Sequence, residues 1–352
     1  MSELIDHLSH TIREAANAHR ALCIRGGGTK DFYGGATRGE VFATSGYRGI
    51  VEYEPTELVI TARCGTPLTE IEAALRESGQ MLPFEPPHFG PTATLGGCIA
   101  AGLSGPRRAY AGAVRDFVLG VRMLDGKGND LRFGGTVMKN VAGYDVSRLM
   151  TGALGTLGVI LEASLKVLPL PVAETTVRRE QSESEAIALM NEWAGKPLPI
   201  SATCHVGNHL YVRLSGAAAA VRAARVKIGG EEITDGAAYW RAVREQSLDF
   251  FQAPQALWRL SVKPTTPPLN LPGPQLIEWG GALRWLKSDA DADTVRAAAR
   301  FGGGHAVLFR GGDRSAERFH PLSPALETIH RRLKQSFDPA GILNPGRLYD
   351  GM

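Results

Sequence analysis

Three consecutive glycines follow a short apolar stretch near the start of the chain. Ala21 to Ile24 read as a strand and lead directly into Arg25-Gly26-Gly27-Gly28-Thr29-Lys30. Glycines at such a turn let successive backbone N–H groups point into one concavity, which binds phosphate. The dinucleotide fingerprint is absent because Asp31 stands where its third glycine would be, and no Gly-Lys pair precedes Ser or Thr as in a P-loop. The segment therefore indicates either a phosphate-binding loop or an ordinary tight turn.

Glycine is also concentrated in a second region, from Gly90 to Gly158. It makes up 42 of the 352 residues, about 12 % against the usual ~7 %. The region includes Thr94 to Gly105, Phe133 to Gly135 and Gly152 to Ile160. Because each glycine costs backbone entropy on folding, this density predicts loops whose bare backbone another group must approach closely.

The order, spacing and identity of these segments resemble the FAD-binding domain shared by vanillyl-alcohol oxidase and p-cresol methylhydroxylase (PCMH type). Residues 337–347 resemble the C-terminal segment that returns to the flavin in the same superfamily. Ile24 to Lys30, Met81 to Pro87 and Val137 to Asp145 carry a closer resemblance, to the family of FAD-binding subunits of bacterial glycolate oxidases. It covers nearly the whole chain, densely over the first 170 residues and more thinly afterwards.

The resemblance implies where FAD would bind. Residues 25–30 would form the pyrophosphate loop, residues 94–104 would run along the flavin and diphosphate, residues 155–160 would contact the adenine side, and residues 344–347 would lie close to the isoalloxazine. The expected cofactor-binding residues are Arg25, Gly26, Gly27, Gly28, Thr29, Lys30, Thr94, Leu95, Gly96, Gly97, Gly102, Ser104, Gly155, Gly158, Val159, Ile160, Asn344 and Arg347. Some relatives hold the flavin covalently through His or Cys. The pyrophosphate loop contains neither, so non-covalent FAD is expected.

Oxidation of a 2-hydroxy acid needs a cation for its carboxylate and a base for its hydroxyl proton, besides the flavin. No catalytic residue is assigned. The best available cations are Arg259 and Lys263, on one face of a predicted strand, although a solvated strand face is the alternative. His205 and His209, expected to share a strand face, and His305 do not match the paired metal-binding histidines of longer catalytic relatives. No metal site is predicted.

Several other residues have a structural interpretation beside the functional one. Asp116 and Tyr144 lie within the resembling segments, where they either serve the cofactor or provide caps and core hydrogen bonds. Trp258, Trp279 and Trp285 are expected to belong to a core rather than to stack on a flavin.

Composition narrows the class of protein. The net charge of +3 gives no electrostatic case for nucleic-acid binding. The four cysteines, Cys23, Cys64, Cys98 and Cys204, are too widely spaced for a zinc or iron–sulfur site and are expected to be buried free thiols. The acidic start lacks export-signal features, and no apolar run approaches the ~18 residues that span a bilayer. These features predict a cytoplasmic protein, with only peripheral contact to the inner membrane face, made through partners.

The predicted fold is α+β in three parts. A PCMH-type FAD-binding domain occupies 1–170, an α+β cap domain for substrate or subunit contact occupies 171–322, and residues 323–352 return to the flavin. Predicted helices run to His19 and over Thr66 to Ser78 (capped by Thr66), Glu183 to Trp193, Ala217 to Val226, Ala292 to Phe301 and Ser323 to Ser336, the last with a stripe of Leu326, Ile329, Leu333 and Phe337. Predicted strands are two runs within Gly49 to Arg63, a half-buried strand at Val159 to Leu168, and His209 to Leu214, Leu257 to Lys263 and Gln275 to Leu286.

The resemblance implies a FAD-binding subunit of a multisubunit glycolate oxidase that converts glycolate to glyoxylate. A longer FAD-linked subunit would perform or share the hydride step, and an iron–sulfur subunit would pass electrons onward. Two alternatives stay open: a self-sufficient FAD-dependent 2-hydroxy-acid (D-lactate-type) dehydrogenase, and a non-catalytic assembly subunit that keeps the fold. The intact Gly26 to Gly28 and Gly96-Gly97 argue against the last, because drift would have replaced glycines that cost stability.

Overall fold

The computed structural model describes residues 2–135, 145–313 and 317–352. Within these ranges the helices are α1 (Ser2–Asn17), α2 (Leu68–Glu77), α3 (Leu95–Ala101), α4 (Arg108–Ala111), α5 (Val114–Phe117), α6 (Val146–Leu149), α7 (Glu183–Ala194), α8 (Ala218–Ile228), α9 (Gly236–Arg244), α10 (Asp249–Gln252), α11 (Ala292–Phe301) and α12 (Pro324–Phe337). The strands are β1 (Leu22–Arg25), β2 (Glu40–Ala43), β3 (Ile50–Glu54), β4 (Val59–Arg63), β5 (Gln80–Met81), β6 (Val118–Leu124), β7 (Asp130–Gly134), β8 (Val159–Lys166), β9 (Leu168–Pro169), β10 (Ala173–Glu180), β11 (Ile200–Val206), β12 (His209–Gly216), β13 (Glu231–Glu232), β14 (Leu257–Ser261), β15 (Gln275–Glu278), β16 (Leu283–Lys287) and β17 (His305–Arg310). Tyr144 and most of the 137–145 motif lie outside the described residues.

The first part of the chain builds a five-stranded antiparallel sheet in the order β3-β4-β8-β6-β7. Strand β8 was expected to be half-buried, but it lies in the centre of the sheet and is covered on both faces. Val159 and Leu161 pack with α1, whereas Ala163 and Leu165 pack with α2 and α3. A register shift against β6 near Leu161 interrupts the alternation. The polar residues of β8 predicted an exposed face, but the strand is buried because it lies in the centre of the sheet.

The predicted cap of α2 is wrong. The helix begins at Leu68 after Pro67, and no side chain caps it. The Thr66 hydroxyl instead accepts a hydrogen bond from the Gly49 N–H at 2.8 Å, so Thr66 holds the entry to β3 rather than the helix.

The segment after α12 lies along β1. Strand β1 pairs with β2 in parallel on one edge. On its other edge the Leu22 N–H donates to the Ile342 carbonyl at 2.7 Å, and the Asn344 N–H donates to the Leu22 carbonyl at 3.0 Å. Helix α1 packs on this layer through Ile12, which is fully buried beside Leu343. Residues more than 300 positions apart thus form one layer.

A buried lysine secures this return. The Lys334 ammonium donates to the Thr156 carbonyl (2.9 Å), the Leu343 carbonyl (2.7 Å) and the Asp338 carboxylate (2.7 Å). Burial lowers the pKa of Lys334, and the adjacent Asp338 opposes that shift. The three acceptors satisfy every donor of the ammonium, so the charge is tolerated inside the protein.

The apolar stripe predicted for α12 is buried only at its C-terminal end. Leu333 and Phe337 pack against the core of the five-stranded sheet. Leu326 and Ile329, in the first two turns, are 49 % and 52 % exposed. Helical spacing identified the stripe, but it did not show how far the covering layer extends.

The second part builds an eight-stranded antiparallel sheet in the order β13-β10-β12-β11-β15-β16-β14-β17. Helices α7 and α8 cover one end, and α11 packs at the other. The strand predicted over Gln275 to Leu286 is in fact two strands, β15 and β16, separated by a turn of 3₁₀ helix at Trp279–Gly281. Trp279 and Gly280 have positive φ values of 55° and 65°, which end the extended run. The division of the chain at residues 170 and 322 into folding units stays a prediction.

The expectation that His205 and His209 share a strand face is wrong. His205 belongs to β11 and His209 begins β12, on the other side of a tight turn. The His205 ring nitrogen Nε2 lies 3.0 Å from the Gln181 carbonyl. No group of three or more potential metal ligands occurs within the described ranges. Trp258, Trp279 and Trp285 are buried, as predicted for core residues.

A charged cluster joins the eight-stranded sheet to two loops from the first part of the chain. Glu85 accepts hydrogen bonds from the backbone N–H of Arg107 (2.9 Å) and from Arg213 of β12 (3.0 Å). Arg107 also contacts Glu174 of β10 at 2.9 Å. The side chains of Arg213 and Arg107 are only 4 % and 10 % exposed. Burial would raise the pKa of Glu85, but the Arg213 and Arg107 guanidinium groups reverse this effect and hold it below its usual range.

Glu85→Ala should strongly destabilise the protein, because it removes the nearer carboxylate of the buried Arg213 and leaves only that of Glu174, 3.8 Å away. Removing one partner of a buried pair costs about 3–5 kcal/mol. Since the folded-state pKa of Glu85 is lowered, its stabilisation is present above about pH 4.3 and is lost as pH falls through the folded-state pKa. Denaturant unfolding at pH 7 and pH 3 should therefore show a smaller difference between wild type and variant at pH 3.

Glu231→Ala is the matched control, because Glu231 pairs with Arg178 on the surface and is 68 % exposed. It should change the free energy of unfolding by less than about 1 kcal/mol. Equal effects of the two substitutions would show that the Glu85 cluster does not hold these loops against the eight-stranded sheet.

Candidate cofactor site

The loop after β1 presents a run of unpartnered amides. Within the described part of the chain, the backbone N–H groups of Gly26 through Lys30 donate no hydrogen bond, whereas the next one, of Asp31, donates to the Gly28 carbonyl at 3.1 Å. These residues line one cavity. Successive amides directed at one concavity form an anion-binding nest. The phosphate-binding interpretation of the three glycines therefore fits this structure.

The glycines are required by how tightly this loop packs. A Cβ on Gly27 would lie 1.5 Å from the Thr92 carbonyl oxygen, and the Thr92 hydroxyl donates to the Gly27 carbonyl at 2.7 Å. Gly28 has a φ of +73° and lies against the Arg25 guanidinium, which pairs with Asp31 at 2.7 Å. Thr92 and the Arg25–Asp31 pair thus fix the loop from both sides, and its amides remain without a partner among the described residues.

Asn344 and Arg347 lie in the wall of the same cavity. The Asn344 amide oxygen accepts from the Ile24 N–H (2.7 Å), and its NH₂ group donates to the Leu154 carbonyl (2.6 Å). The Arg347 guanidinium donates to the carbonyls of Lys30 (3.1 Å) and Gly35 (2.6 Å), among others. Both side chains therefore hold the start and the end of the amide-bearing loop.

The charge around the cavity suits a diphosphate. Arg25, Lys30 and Arg347 line it, and Asp31 is the acidic residue among the described lining residues. Burial lowers the pKa of Lys30. Its ammonium lies 3.3 Å from the His88 carbonyl and 5.7 Å from the centre of the Phe89 ring. A cofactor phosphate would add the negative charge that this cluster of cations favours.

Only half of the Thr94–Gly97 segment reaches the cavity. Thr94 and Gly97 line it, whereas Leu95 is buried in the core and a Cβ on Gly96 would lie 2.9 Å from the Cβ of Cys64. The N–H groups at the start of α3 are already used: those of Leu95 and Gly96 by backbone carbonyls and that of Gly97 by the Thr94 hydroxyl. Core packing against Cys64 therefore requires a glycine at position 96, and contact of Gly96 with the cofactor stays a prediction.

The remaining predicted residues lie outside this cavity among the residues that the structure describes. Gly102 ends α3 with a φ of 65°, and Ser104 accepts from the Val114 N–H at 3.0 Å. A Cβ on Gly155 would meet the Asn344 amide, and one on Gly158 would meet Met123. Val159 and Ile160 are buried in β8. Their backbone contact with the adenine side stays a prediction.

Sequence reasoning missed several lining residues, namely Ile24, Asp31, Thr37, Ala100, Ala101 and Leu154. Ala100, Ala101 and Leu154 stand within the glycine-rich segments, so proximity to the motif was an available signal. Thr37 carries no such signal. Asp116 acts as a cap, since its carboxylate accepts from the Ala113 N–H at 2.8 Å.

The four cysteines are buried free thiols, as predicted. Burial raises the pKa of Cys98 to about 12 and also raises that of Cys64. Thiols with such pKa values remain protonated at neutral pH and are poor nucleophiles. Cys64 and Cys98 therefore provide no reactive thiolate for a covalent flavin link.

Comparisons with known proteins identify the family of this chain. A family model described as a FAD binding domain matches residues 3–134, and one for the C-terminal domain of FAD linked oxidases matches residues 313–348. Glycolate oxidase subunit GlcE of Escherichia coli (strain K12) is 52 % identical over 342 residues, covering 97 % of this chain and 96 % of that protein. A solved structure of alkyldihydroxyacetonephosphate synthase has the same fold, with a TM-score of 0.67 at 16 % identity over 97 % of this chain and 74 % of that one.

The fold and the loop of free amides define a FAD-binding protein of the FAD-linked oxidase class, and the predicted fold class and cofactor are confirmed. Within that class the chain belongs to the family of the glycolate oxidase subunit GlcE. FAD, when bound, supplies a hydride acceptor. The residues that would hold its diphosphate are the amides of Gly26 to Lys30, with Arg25 and Lys30 beside them.

Some similar proteins are longer and share only part of their length with this chain. Glycolate oxidase subunit GlcD of Bacillus subtilis (strain 168) is 34 % identical over 128 residues, which are 36 % of this chain and 27 % of that protein. No helix among the described residues is long and apolar enough to cross a membrane.

Gly27→Ala should impair FAD binding, because the new methyl group would collide with the Thr92 carbonyl and displace the loop. Overpacking of this kind costs about 1–3 kcal/mol, so FAD should dissociate roughly ten times more readily. FAD titration of the protein by flavin fluorescence measures the affinity. Gly46→Ala is the control, since a Cβ there meets no atom within 4 Å. Unchanged affinity in the Gly27 variant would contradict the assigned role of the loop.

FAD should be released when the purified protein is precipitated with acid, because the loop supplies no covalent attachment point. The yellow colour is expected in the supernatant and can be quantified by absorbance. Colour that stays with the pellet through washing would show a covalent bond.

Proposed function

We propose that this chain is the FAD-binding subunit of a multisubunit glycolate oxidase that oxidises glycolate to glyoxylate. The observation that carries the proposal is 52 % identity to a glycolate oxidase subunit over almost the full length of both proteins. Its reaction is oxidation of the CH–OH group of a small 2-hydroxy acid. Its partners are a longer FAD-linked subunit and an iron–sulfur subunit.

The division between subunits has support in this chain. Oxidation of glycolate to glyoxylate releases two electrons, which must leave the flavin before another turnover. The four cysteines lie at scattered positions and are buried, so they do not provide the cluster ligands for onward transfer. A separate iron–sulfur chain would fulfil that role. The complex would work in the cytoplasm, and any contact with the inner membrane face would come through partners.

A second candidate is a self-sufficient 2-hydroxy-acid dehydrogenase. Proteins named D-2-hydroxyglutarate dehydrogenase and D-lactate dehydrogenase match this chain, the first at 31 % identity over 159 residues and 34 % of its own length, the second, from Anaerostipes hadrus, at 33 % over 122 residues. The partial coverage favours the subunit proposal, because each of these matches includes less than half of this chain.

Omission of single subunits tests the proposal. The chain should be produced with its longer FAD-linked partner and its iron–sulfur partner, and glycolate-dependent dye reduction should be measured with each chain left out. Only the complete set is expected to show full turnover. Full turnover by this chain alone would overturn the subunit proposal and favour the self-sufficient dehydrogenase.

The Gly27→Ala variant distinguishes a subunit whose FAD takes part in turnover from a subunit that only organises the assembly. If the FAD of this chain takes part in turnover, a complex assembled with the variant should have reduced activity that rises with added FAD. A complex that assembles with this variant, lacks its FAD and keeps full activity would show that the chain only organises the assembly.

A further inference from the structure

The His88–Gly90 segment lies against the loop that follows β1. A Cβ on Gly90 would lie 3.1 Å from the Thr29 Cγ2 atom, so the segment packs directly on that loop. The Lys30 ammonium donates to the His88 carbonyl at 3.3 Å. The place of this ammonium in the cofactor cavity therefore depends on where the segment lies.

The backbone of the segment needs support from outside. Phe89 has a φ of 55°, in the left-handed region that glycine adopts far more easily than a residue with a side chain. Such conformations persist only where surrounding groups hold them, and they are frequent at ligand sites. A group in contact with Phe89 is therefore expected to fix its conformation.

A carboxylate from the second part of the chain provides this contact. Glu245 directly follows α9, and it accepts from the Phe89 N–H at 2.8 Å and from the His88 N–H at 3.1 Å. Trp240 is buried in a core formed largely by the eight-stranded sheet, and it fixes α9 there. The eight-stranded sheet thus holds, through one side chain, the segment that contacts Lys30.

The charges of Lys30 and Glu245 favour the same arrangement. Burial lowers the pKa of Lys30, and the charge of Glu245 opposes that shift. The ammonium has three donors, and within the described part of the chain it uses two, on the His88 carbonyl and, at 3.5 Å, on the Thr29 hydroxyl. The third donor is available for a phosphate oxygen.

The other predicted cations take no part in this contact. Arg259 belongs to β14, with its guanidinium 5.2 Å from the centre of the Trp279 ring, and Lys263 is exposed beyond the end of that strand. Neither lines the cofactor cavity. Of the cations that do line it, Lys30 is the one that contacts the His88–Gly90 segment among the described residues.

We propose that Glu245 is a positioning residue for FAD, which holds the His88–Gly90 segment and, through it, the Lys30 ammonium where the diphosphate binds. Glu245 lies outside residues 3–134, which match the FAD binding domain, and outside residues 313–348. The cofactor site is therefore built by both parts of the chain. The proposal concerns cofactor binding and does not rest on the proposed substrate.

A double-mutant cycle with Lys30 tests the proposal. FAD should be titrated into the full chain freed of cofactor, and affinity should be measured by flavin fluorescence. Lys30→Met should weaken FAD binding at least about tenfold, because it removes a charged donor to the diphosphate. Glu245→Ala should weaken it at least about threefold in the wild-type background, but less than about twofold when combined with Lys30→Met, because it acts through that ammonium.

Glu72 offers a matched control. Its side chain is 21 % exposed, against 23 % for Glu245, and it contacts the same Arg244 and the ring of His88. Among the described residues it accepts from no backbone N–H of the His88–Gly90 segment. Glu72→Ala should therefore leave FAD affinity within about twofold of wild type. Glu245→Gln retains one acceptor oxygen and should recover part of the affinity that Glu245→Ala loses.

An equal loss of affinity from Glu245→Ala with and without Lys30→Met would overturn the proposal, because a merely structural role does not depend on the ammonium. Unchanged FAD affinity in either single variant would also overturn it, as would a loss from Glu72→Ala as large as that from Glu245→Ala. If Glu245→Ala fails to fold, Glu245→Gln takes its place in the cycle under the same criterion.

This proposal and the proposed function fail separately. Coupling between Glu245 and Lys30, in a complete complex inactive on glycolate, would support the positioning role and remove the proposed substrate. Additive effects of the two substitutions, in a complex that oxidises glycolate, would remove the positioning role and leave the proposed function.

Discussion

The constraint on which the cofactor site depends is a run of five consecutive backbone N–H groups that donate to no residue described by the structure. A loop with free amides gains nothing from its own hydrogen bonds, so other parts of the chain must hold its shape. Thr92 holds its middle, the Arg25–Asp31 pair holds one side, and Asn344 and Arg347 hold both ends. The glycines there allow this close packing as well as access for a phosphate.

Much of the local structure follows from the sequence. Apolar spacing and end signals predicted the bounds of α11 and came within one residue at each end of α12. The break between β15 and β16 was missed although Gly280-Gly281 is a turn signal, because the apolar residues on both sides favoured one continuous strand. The turn between His205 and His209 had a visible signal in Gly207-Asn208, a dipeptide typical of hairpins.

The sequence predicted the part of the cofactor site that a functional motif requires. It did not show which glycines of the neighbouring segments are required by core packing. The loop from Gly26 to Lys30 combines several glycines, a cation and a preceding strand, a combination that an ordinary turn does not need. Gly96 and Gly158 belong to equally recognisable segments, yet their neighbours are Cys64 and Met123. The roles of Asn344 and Arg347 as backbone clamps could not be derived, because their partners lie more than 180 residues away. Long-range pairing of this kind has no local pattern.

The return of the C-terminal segment to β1 determines the order of events during synthesis. The loop that would receive the phosphates leaves the ribosome early, but Asn344 and Arg347, which hold it, follow more than 300 residues later. Domains generally fold as units as they emerge. The five-stranded sheet, complete once β8 has emerged, can therefore form before the cofactor cavity has its full wall. Stable capture of FAD is consequently a late event, and it follows translation of residue 347 rather than accompanying the folding of the first sheet.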